Sequence, residues 1–330
     1  MPPLRRSDLA RPFLKWAGGK TQLLPRFEAL YPPAGRARRY IEPFVGSAAV
    51  FFQVRRLLRP EEVLLADGNE ELINAYREIQ GSVHRVIRLL SEHRRLHSKE
   101  HYYRTRSLQA RDLSPARRAA RFIYLNRTCF NGLYRVNRLG GFNVPMGSYR
   151  NPPILDAENL RNVARSLAGV ELKVAPFHET LDYARAGDFI YFDPPYHPVS
   201  ETSRFTSYTR DSFGASDQEE LAKVFAALGR RGCLVMLSNS DCAFIRGLYR
   251  DFAIHAVPAR RSINSRGDRR GPVSEVVVLN YEAPSPAQIP RRPLQPELLS
   301  RNMPAGGGSP VGTARAGRAT RRGPAPADAI

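Results

Sequence analysis

Short apolar runs alternate with helix-like stretches along most of the chain. Six runs predict β-strands, at residues 40–45, 63–66, 170–174, 188–192, 233–237 and 273–281. Several are apolar almost without interruption, which is typical of strands covered on both faces in a mostly parallel sheet. The alternation of such strands with helices predicts an α/β fold.

The clearest helix signal begins at Ser216. Ser216 and Glu219 have the spacing of a capping box, which bonds the free backbone N–H groups at a helix start. Apolar residues then recur at helical intervals between residues 221 and 228, and Gly229 is a typical helix end. We predict a helix here, followed closely by the next strand.

Residues 70–156 differ from the rest because they show helical patterns and no convincing strand. Ser114 and Pro115 predict a helix start. Its apolar face consists of Ala116, Ala119, Ala120 and Ile123. Its other face is interpreted as a solvated basic surface and carries Arg117, Arg118 and Arg121. We predict a helical module at 70–156, inserted into one discontinuous domain formed by residues 8–69 and 157–282.

Composition limits the possible partners. The 330 residues include 51 Lys and Arg against 31 Asp and Glu, a net charge of +20. A field of that sign attracts polyanions, although nucleic acid, an acidic protein and an anionic membrane all remain compatible with it. Residues 283–330 are rich in Pro, Gly, Ala, Ser and Arg, and this composition predicts a disordered basic tail.

Several classes of protein are disfavoured. The three cysteines have no metal-binding spacing, so we expect no metal site. No apolar run approaches the roughly 18 residues that span a bilayer. A secretory signal would require an apolar stretch after Arg5 and Arg6, and the sequence has none there. We therefore expect a soluble intracellular protein.

The sharpest chemical signal is Asp193-Pro194-Pro195-Tyr196, directly after the apolar run FIYF. Ligands of open α/β sheets bind beyond the carboxyl ends of strands, where this segment is predicted to lie. The exocyclic amine of a base is a poor nucleophile because its lone pair is conjugated into the ring. Asp193 and the Pro194 carbonyl could accept the two amine hydrogens and direct that lone pair at a methyl donor. Two prolines stiffen the loop, and Tyr196 offers a ring on which an extruded base could stack.

The segment AGGKT at residues 17–21 suits a charged, adenine-bearing ligand such as S-adenosylmethionine. The Lys20 ammonium could pair with the carboxylate of that ligand, close to the indole of Trp16. A phosphate-binding P-loop is disfavoured because Leu14 stands where its leading glycine is required.

The segment EPFVGSA at residues 42–48 lies between a predicted strand and an apolar, helix-like stretch. A strand, a tight turn at Gly46 and a helix form the first unit of a nucleotide-binding crossover. Asp67 ends the next strand, 21 residues beyond Gly46, where an acidic residue commonly holds the ribose hydroxyls. The alternative is that Asp67 only caps the following helix.

Taken together, these segments resemble the Dam family of DNA adenine-N6 methyltransferases, of the D12 class. The resemblance extends from about Phe13 to Tyr281 and comprises, in the family's order, FLKWAGGK, EPFVG, LADGNEELINAY, YLNRTCFNGLYRVN, GFNVPMGSY, DFIYFDPPY, FTSYTRDSF, LSNSD and RRSINSRGDRRGPVSEVVVLNY. It implies a Rossmann-like S-adenosylmethionine-dependent methyltransferase sheet of seven mostly parallel strands. The final strand is expected to be reversed, with residues 252–257 and 273–281 as the closing hairpin, and the helical insertion to be the target recognition domain.

The resemblance also implies roles for single residues. Cofactor contacts are expected at Trp16, Lys20, Gly46, Asp67 and Asp193. The catalytic loop that holds a flipped adenine comprises Asp193, Pro194, Pro195 and Tyr196. DNA contacts are expected at Lys15, Phe130, Asn131, Leu133, Arg135 and Pro145, with Phe130 wedging into the duplex. The implied reaction is direct attack of the adenine N6 amine on the methyl group of S-adenosylmethionine, in double-stranded DNA and commonly within GATC.

We therefore expect a monomeric enzyme of a bacterial cytoplasm or a phage-infected cell, without an obligate protein partner. One alternative is an RNA adenine-N6 or cytosine-N4 methyltransferase, because the same tetrapeptide could hold any aromatic exocyclic amine. Another is a catalytically silent DNA-binding protein, which would need a broken cofactor site. Ala48 stands where many family members carry a second glycine, so its methyl group is expected to narrow the cofactor space.

Overall fold

Seven strands form one sheet in the computed structural model, which describes residues 9–16, 18–198, 213–259 and 273–284. The strands are β1 (Arg39–Glu42), β2 (Glu62–Asp67), β3 (Val170–Val174), β4 (Phe189–Phe192), β5 (Leu234–Ser240), β6 (Ala253–Ala259) and β7 (Val273–Leu279). Each of the six runs predicted from the sequence overlaps one of these strands. The first run ends earlier than predicted, at Glu42, because Pro43 has no N–H to donate to a neighbouring strand.

The strand order is β3-β2-β1-β4-β5-β7-β6. Neighbouring strands from β3 to β5 are parallel, whereas β7 runs antiparallel to both β5 and β6. This arrangement confirms the predicted α/β fold with a reversed final strand and a closing hairpin. The carboxyl ends of β1, β2 and β4 meet at one edge of the sheet, which brings Glu42, Asp67 and Asp193 to the same side.

Both faces of the sheet are covered. Alternate residues of each strand point to opposite sides, so Tyr40 packs into one hydrophobic cluster and Ile41 into a second. The helices are α1 (Leu24–Phe27), α2 (Ala49–Leu57), α3 (Glu70–Leu96), α4 (Lys99–Ser107), α5 (Pro115–Thr128), α6 (Ala157–Ser166), α7 (Thr180–Tyr183), α8 (Ala215–Arg230) and α9 (Ala243–Leu248). Burial of the strands on both sides explains why their sequences are apolar almost throughout.

Residues 70–156 contain α3, α4 and α5 and, in the part of the chain that the structure describes, no strand longer than an isolated bridge. α3 is kinked at Ser82, whose φ of −143° is not helical. Bridges from Cys129 to Met146 and from Val136 to Phe142 hold residues 129–146 as an irregular hairpin. It is here called the reading hairpin, after the DNA contacts that the sequence analysis expects of its residues. The described residues lie in one unit, which ends at Ile289, so the separate target recognition domain stays a prediction.

The predicted start of α8 is wrong by two residues. The N-cap is Gly214 and not Ser216, and the reciprocal carboxylate is Asp217 and not Glu219. The Asp217 Oδ2 atom accepts a hydrogen bond of 2.7 Å from the Gly214 N–H. A glycine has no side-chain oxygen to signal a cap, so the first Ser with an acidic residue three positions later is the stronger sequence pattern.

The solvated basic face predicted for α5 is also wrong, except at Arg117, which is exposed. Arg118 pairs with Glu70 and Glu71 at the start of α3. Arg121 is buried, and its guanidinium donates to the backbone carbonyls of Thr105 (3.0 Å) and Arg106 (2.9 Å). Both arginines therefore hold α5 against neighbouring helices. The predicted N-cap residue Ser114 and the buried apolar face of α5 are confirmed.

Some of the predicted features lie outside the described residues. These are most of FTSYTRDSF, the residues 260–272 and almost all of the tail at 283–330. Among the residues that are described, no helix is long and apolar enough to cross a membrane. Within the same ranges, no group of three or more His, Cys, Asp or Glu side chains could hold a metal ion.

Candidate active site

An open cavity of about 1130 Å³ lies at the carboxyl edge of the sheet. Its walls contain all the predicted catalytic and cofactor residues: Trp16, Lys20, Gly46, Asp67, Asp193, Pro194, Pro195 and Tyr196. Gly132, Leu133 and Tyr134 of the reading hairpin form another part of the wall. Residues from separate segments of the sequence therefore face one space.

The turn after β1 is built around the Asp67 carboxylate. One oxygen of Asp67 accepts from the Gly46 N–H (3.2 Å) and the other from the Asn69 N–H (3.0 Å). Burial raises the pKa of Asp67 to about 6, although these two hydrogen bonds act in the opposite direction. The α3 cap itself is Asn69, whose side chain accepts from the Leu72 N–H. Asp67 is thus not the helix cap, and its carboxylate lines the cavity.

Gly46 allows the cavity wall to close against Trp16. A Cβ at Gly46 would lie 2.9 Å from Trp16 Cδ1, and its φ of 44° also favours glycine. The indole of Trp16 stacks on Tyr134 with the rings 23° apart and their centroids separated by 6.1 Å. Ala48 adopts a left-handed φ of 57° but is fully buried and does not line the cavity. Its methyl group therefore forms no part of the cavity wall, and a narrowed cofactor space stays a prediction.

Lys20 and Asp193 form a buried ion pair at the centre of the site. The Lys20 Nζ atom lies 2.7 Å from Asp193 Oδ1 and donates to the Gly18 carbonyl at 2.6 Å. The same oxygen of Asp193 accepts from Ser238 Oγ at 3.1 Å. Burial raises the pKa of Asp193, and the Lys20 charge and the Ser238 hydroxyl oppose that rise. No described residue donates to Oδ2, so this oxygen is available to a ligand.

The two prolines differ in what their carbonyls contact. The Pro195 carbonyl accepts from Gln218 Nε2 (2.9 Å), and the Gln218 amide oxygen accepts from Asn239 (2.9 Å). Asn239 in turn accepts from the His197 N–H. Among the described residues, none donates to the Pro194 carbonyl. The loop is thus held from its outer side by α8 and β5, and the Pro194 carbonyl accepts no hydrogen bond from the described residues.

Tyr196 is fixed at its hydroxyl and on its ring face. The hydroxyl donates to Glu275 Oε2 at 2.6 Å, and the Lys20 ammonium lies 4.5 Å from the ring centroid. Glu275 lies on β7 opposite Ser240 of β5. Burial raises the pKa of Glu275, and the hydrogen bond from Tyr196 opposes that rise. These two contacts fix the orientation of the ring.

The reading hairpin presents the other predicted residues. Phe130 is 51% exposed and Leu133 42% exposed, which is unusual for large apolar side chains. Asn131 has a left-handed φ of 54°. The two arms are joined by bonds from the Phe130 N–H to the Pro145 carbonyl and from Arg135 Nε to Asn143 Oδ1 (2.7 Å). Lys15, from a distant part of the sequence, packs against Gly132 near the start of this hairpin.

Sequence reasoning missed the residues that support the site. Glu275 and Asn239 lie in SEVVVL and LSNSD, where polar residues stand at one end of an otherwise apolar strand, and this was the available signal. Glu42 is 2% exposed at the end of β1 and accepts from the Tyr40 hydroxyl at 2.8 Å. Burial raises the pKa of Glu42 well above its ordinary value. The partners of Glu275 and Asn239 are distant in sequence, so the pattern alone could not assign them a role.

Comparison with known proteins shows a family whose sequence pattern this chain matches. Residues 16–263 match the family described as D12 class N6 adenine-specific DNA methyltransferase. Type II methyltransferase M1.LlaDCHI of Lactococcus lactis subsp. cremoris is 43% identical over 278 residues, which cover 82% of this chain and 95% of that protein. Type II methyltransferase M.MjaIII of Methanocaldococcus jannaschii is 43% identical over 286 residues, covering 82% and 99%.

DNA adenine methylase of Escherichia coli (strain K12) is 35% identical over 271 residues, covering 82% of this chain and 95% of that protein. A solved structure of precorrin-6y C5,15-methyltransferase from Geobacter metallireducens GS-15 aligns with a TM-score of 0.34 and 10% identity, over 78% of this chain and 87% of that one. The structural likeness is too slight to bear on function, whereas the family match spans most of the sequence. The chain therefore belongs to the D12 class of N6 adenine-specific DNA methyltransferases.

Proposed function

We propose that this chain transfers a methyl group from S-adenosylmethionine to the N6 amine of adenine within GATC of double-stranded DNA, after the base has left the duplex. The observation that carries the proposal is one cavity wall that holds two open acceptors side by side in sequence. These acceptors are Oδ2 of Asp193 and the carbonyl of Pro194. The amine of adenine has two hydrogens to donate.

The residues of the cavity suit S-adenosylmethionine. The Asp67 carboxylate can accept from a pair of ribose hydroxyls, and the indole of Trp16 offers an aromatic surface for adenine. The Lys20 ammonium can pair with a carboxylate, as it already does with Asp193. When bound, this cofactor supplies an electrophilic methyl group.

The protein's part in the reaction is to orient the amine. Asp193 and the Pro194 carbonyl accept its two hydrogens, which favours a pyramidal nitrogen whose lone pair points into the cavity for direct attack. The Lys20 and Ser238 contacts keep the other oxygen of Asp193 fixed, so the acceptor geometry exists in advance. The Tyr196 ring, held by Glu275, gives the extruded base a stacking surface.

The DNA partner follows from the reading hairpin. Phe130 is an exposed aromatic that can wedge between bases, and a net charge of +20 favours contact with phosphates. Asn131, Leu133, Arg135, Pro145 and Lys15 are proposed to contact the base pairs of GATC. The relative named DNA adenine methylase and the matching family of DNA methyltransferases support DNA as the substrate. We propose that the chain acts as a monomer, inside a bacterial or phage-infected cell.

The test is methyl transfer from labelled S-adenosylmethionine to matched substrates. These are a duplex with one GATC, duplexes with one base pair of that site changed, and single-stranded RNA of the same sequence. We expect N6-methyladenine, identified by nucleoside mass spectrometry, in the GATC duplex alone. Methylation of RNA or of cytosine N4 would contradict the proposed substrate, and equal methylation of altered sites would contradict GATC.

A further inference from the structure

The Asn126 side chain joins two distant parts of the molecule. Asn126 lies near the end of α5 and is 1% exposed. Its Oδ1 atom accepts from the Lys15 N–H (2.8 Å), and its Nδ2 atom donates to the carbonyls of Lys15 (2.7 Å) and Gly132 (3.0 Å). Both amide hydrogens are therefore used, one on each segment, and the amide cannot turn without breaking a bond.

Two further contacts hold the Lys15 side chain on the reading hairpin. A Cβ at Gly132 would lie 2.9 Å from Lys15 Cδ and closer still to Lys15 Cβ, so the stem of the lysine fills the space that glycine leaves. The Lys15 ammonium lies 3.8 Å from the centroid of the Tyr149 ring, just beyond the hairpin's second arm. Stem and charge are thus each held by a different part of the hairpin region.

We infer that Asn126 is a positioning residue that makes Lys15 and the reading hairpin one rigid DNA-reading surface. The inference rests on the proposed contact between Lys15 and a base pair. A lysine is a flexible chain with a strongly hydrated charge, and it discriminates poorly between bases unless its position is fixed. Asn126 fixes its backbone, and Gly132 gives its stem a defined path.

The chain contains a matched control for Asn126. Asn159 is 3% exposed, and its amide brackets the backbone of Arg11 in the same way, with bonds of 2.9 Å and 3.0 Å. Arg11 lies four residues before Lys15 on the same segment, and these two bonds do not involve the hairpin. Removal of either amide eliminates similar buried backbone contacts, but only Asn126 touches both Lys15 and Gly132.

The experiment compares Asn126→Ala, Asn159→Ala and Lys15→Met by kcat/KM on a GATC duplex and on duplexes altered at one base pair. We expect Asn126→Ala to lower the discrimination ratio about tenfold at the same base pair at which Lys15→Met lowers it. Asn159→Ala should keep its ratio within about twofold of the wild type, even where its thermal stability falls. A purely structural role would weaken both variants on all substrates and leave the ratios unchanged, and this result would overturn the inference.

A second pair of variants covers the case in which Asn126→Ala does not fold. Gly132→Ala pushes against Lys15 and leaves the Asn126 amide in place. Gly140→Ala has a similar backbone cost, since φ is +66° at Gly132 and +76° at Gly140, but a Cβ at Gly140 meets nothing within 4 Å. Relaxed discrimination in Gly132→Ala alone is the expected result, and equal ratios in the two variants would overturn the inference.

Failure of this inference can be told apart from failure of the proposed function. If the wild type does not methylate duplex DNA, the function is wrong. If it does and Lys15→Met keeps full discrimination, Lys15 does not read a base and the inference falls alone. If Lys15→Met relaxes discrimination while Asn126→Ala and Gly132→Ala do not, the lysine reads the base without being positioned by this bracket.

Discussion

Two carboxylates at the same edge of the sheet differ in what surrounds them. Asp67 accepts from two backbone N–H groups, so its partners are dipoles fixed by the turn. Asp193 faces the Lys20 ammonium and the Ser238 hydroxyl, and both occupy the same oxygen. Asp67 is therefore suited to holding neutral hydroxyls. Asp193 has one oxygen to which no described residue donates, and this is the oxygen proposed to accept from the adenine amine.

Asp193→Ala is expected to lower the methylation rate by about 100-fold or more, because it removes a preorganised acceptor that acts in the transition state. DNA affinity should be nearly unchanged, since the reading hairpin does not depend on this side chain. Single-turnover methylation and DNA binding by fluorescence anisotropy measure the two effects. A variant with the wild-type rate would show that the amine is oriented by other groups. A weaker cofactor affinity is also expected, because the loop that carries Asp193 lines the same cavity as Trp16 and Asp67.

Asp67 is expected to make cofactor affinity depend on pH. In the proposed complex its ionised carboxylate accepts hydrogen bonds from the ribose hydroxyls, and burial raises the pKa of Asp67 to about 6. Affinity for S-adenosylmethionine should therefore fall as pH drops through about 6. Asp67→Ala should weaken binding at pH 8 by about 1.5–3 kcal/mol and remove this dependence. Calorimetric titrations of the cofactor at pH 8 and below about pH 6 test this prediction. An unchanged dissociation constant for the variant would refute the assignment.

At the scale of single elements, a substitution in the reading hairpin can show whether the protein reads bases directly. Arg135 donates through Nε to Asn143 across the hairpin, which leaves the ends of its guanidinium for guanine O6 and N7. Such an interaction contributes about 1–3 kcal/mol of discrimination. Arg135→Ala should therefore relax preference at one position of GATC, measured as kcat/KM on single-base variants.

Arg138, exposed near the tip of the same hairpin, supplies the control. Arg138→Ala should change affinity about equally for all sequences, as expected when a phosphate-binding side chain is removed. If Arg135→Ala behaves in the same way, with a uniform decrease on every substrate, then Arg135 does not read bases.

The packing of α3 against α4 is expected to respond to acid. His93 Nδ1 lies 2.9 Å from His101 Nε2, and the His93 ring stacks on Tyr124 with centroids 4.6 Å apart. Burial, and then the neighbouring His101, lower the pKa of His93 to about 4. An unfolded histidine binds its proton near pH 6.5, so the folded state binds fewer protons between these values. Its contribution to stability is complete above about pH 6.5 and disappears as pH falls towards 4.

His93→Phe keeps a ring against Tyr124 and removes the titrating group. Between pH 7 and pH 5 the melting temperature of the wild type should fall more than that of this variant. His84→Gln, on the same helix and away from this cluster, should follow the wild type. Melting curves that fall in parallel for all three proteins would contradict a role for the His93 pair.

Local patterns predicted the elements well and their side-chain partners poorly. Every predicted strand is present because a strand buried on both faces must be apolar along its length, which is a local property. The contact between Tyr196 and Glu275, 79 positions apart, exists because β7 inserts between β5 and β6. The sequence pattern places Arg121 on the solvent-facing side of α5. The side chain is buried because it binds backbone carbonyls of α4, and the pattern alone does not place α4 beside α5.

At the scale of the whole molecule, the positive charge is shared between residues 1–282 and the segment after Glu282. That segment lies almost entirely outside the described residues and carries seven arginines against two acidic residues. The catalytic cavity and the reading hairpin are both formed by residues that precede it. We therefore expect base discrimination to depend on residues 1–282, and the segment to add attraction to phosphates that does not depend on sequence.

A chain ending at Glu282 is expected to keep its preference for GATC and to bind DNA more weakly, mainly at low salt. For every phosphate that the shortened chain no longer neutralises, the slope of log affinity against log salt should fall by about 0.9, because fewer counterions are released on binding. Anisotropy titrations over a range of salt concentrations give this slope, and kcat/KM on altered sites gives the preference. The full chain with Arg291, Arg292, Arg321 and Arg322 changed to Gln separates charge from length. If the truncated chain differs from the full one in sequence preference and this Gln variant does not, the segment contacts the site through more than its charge.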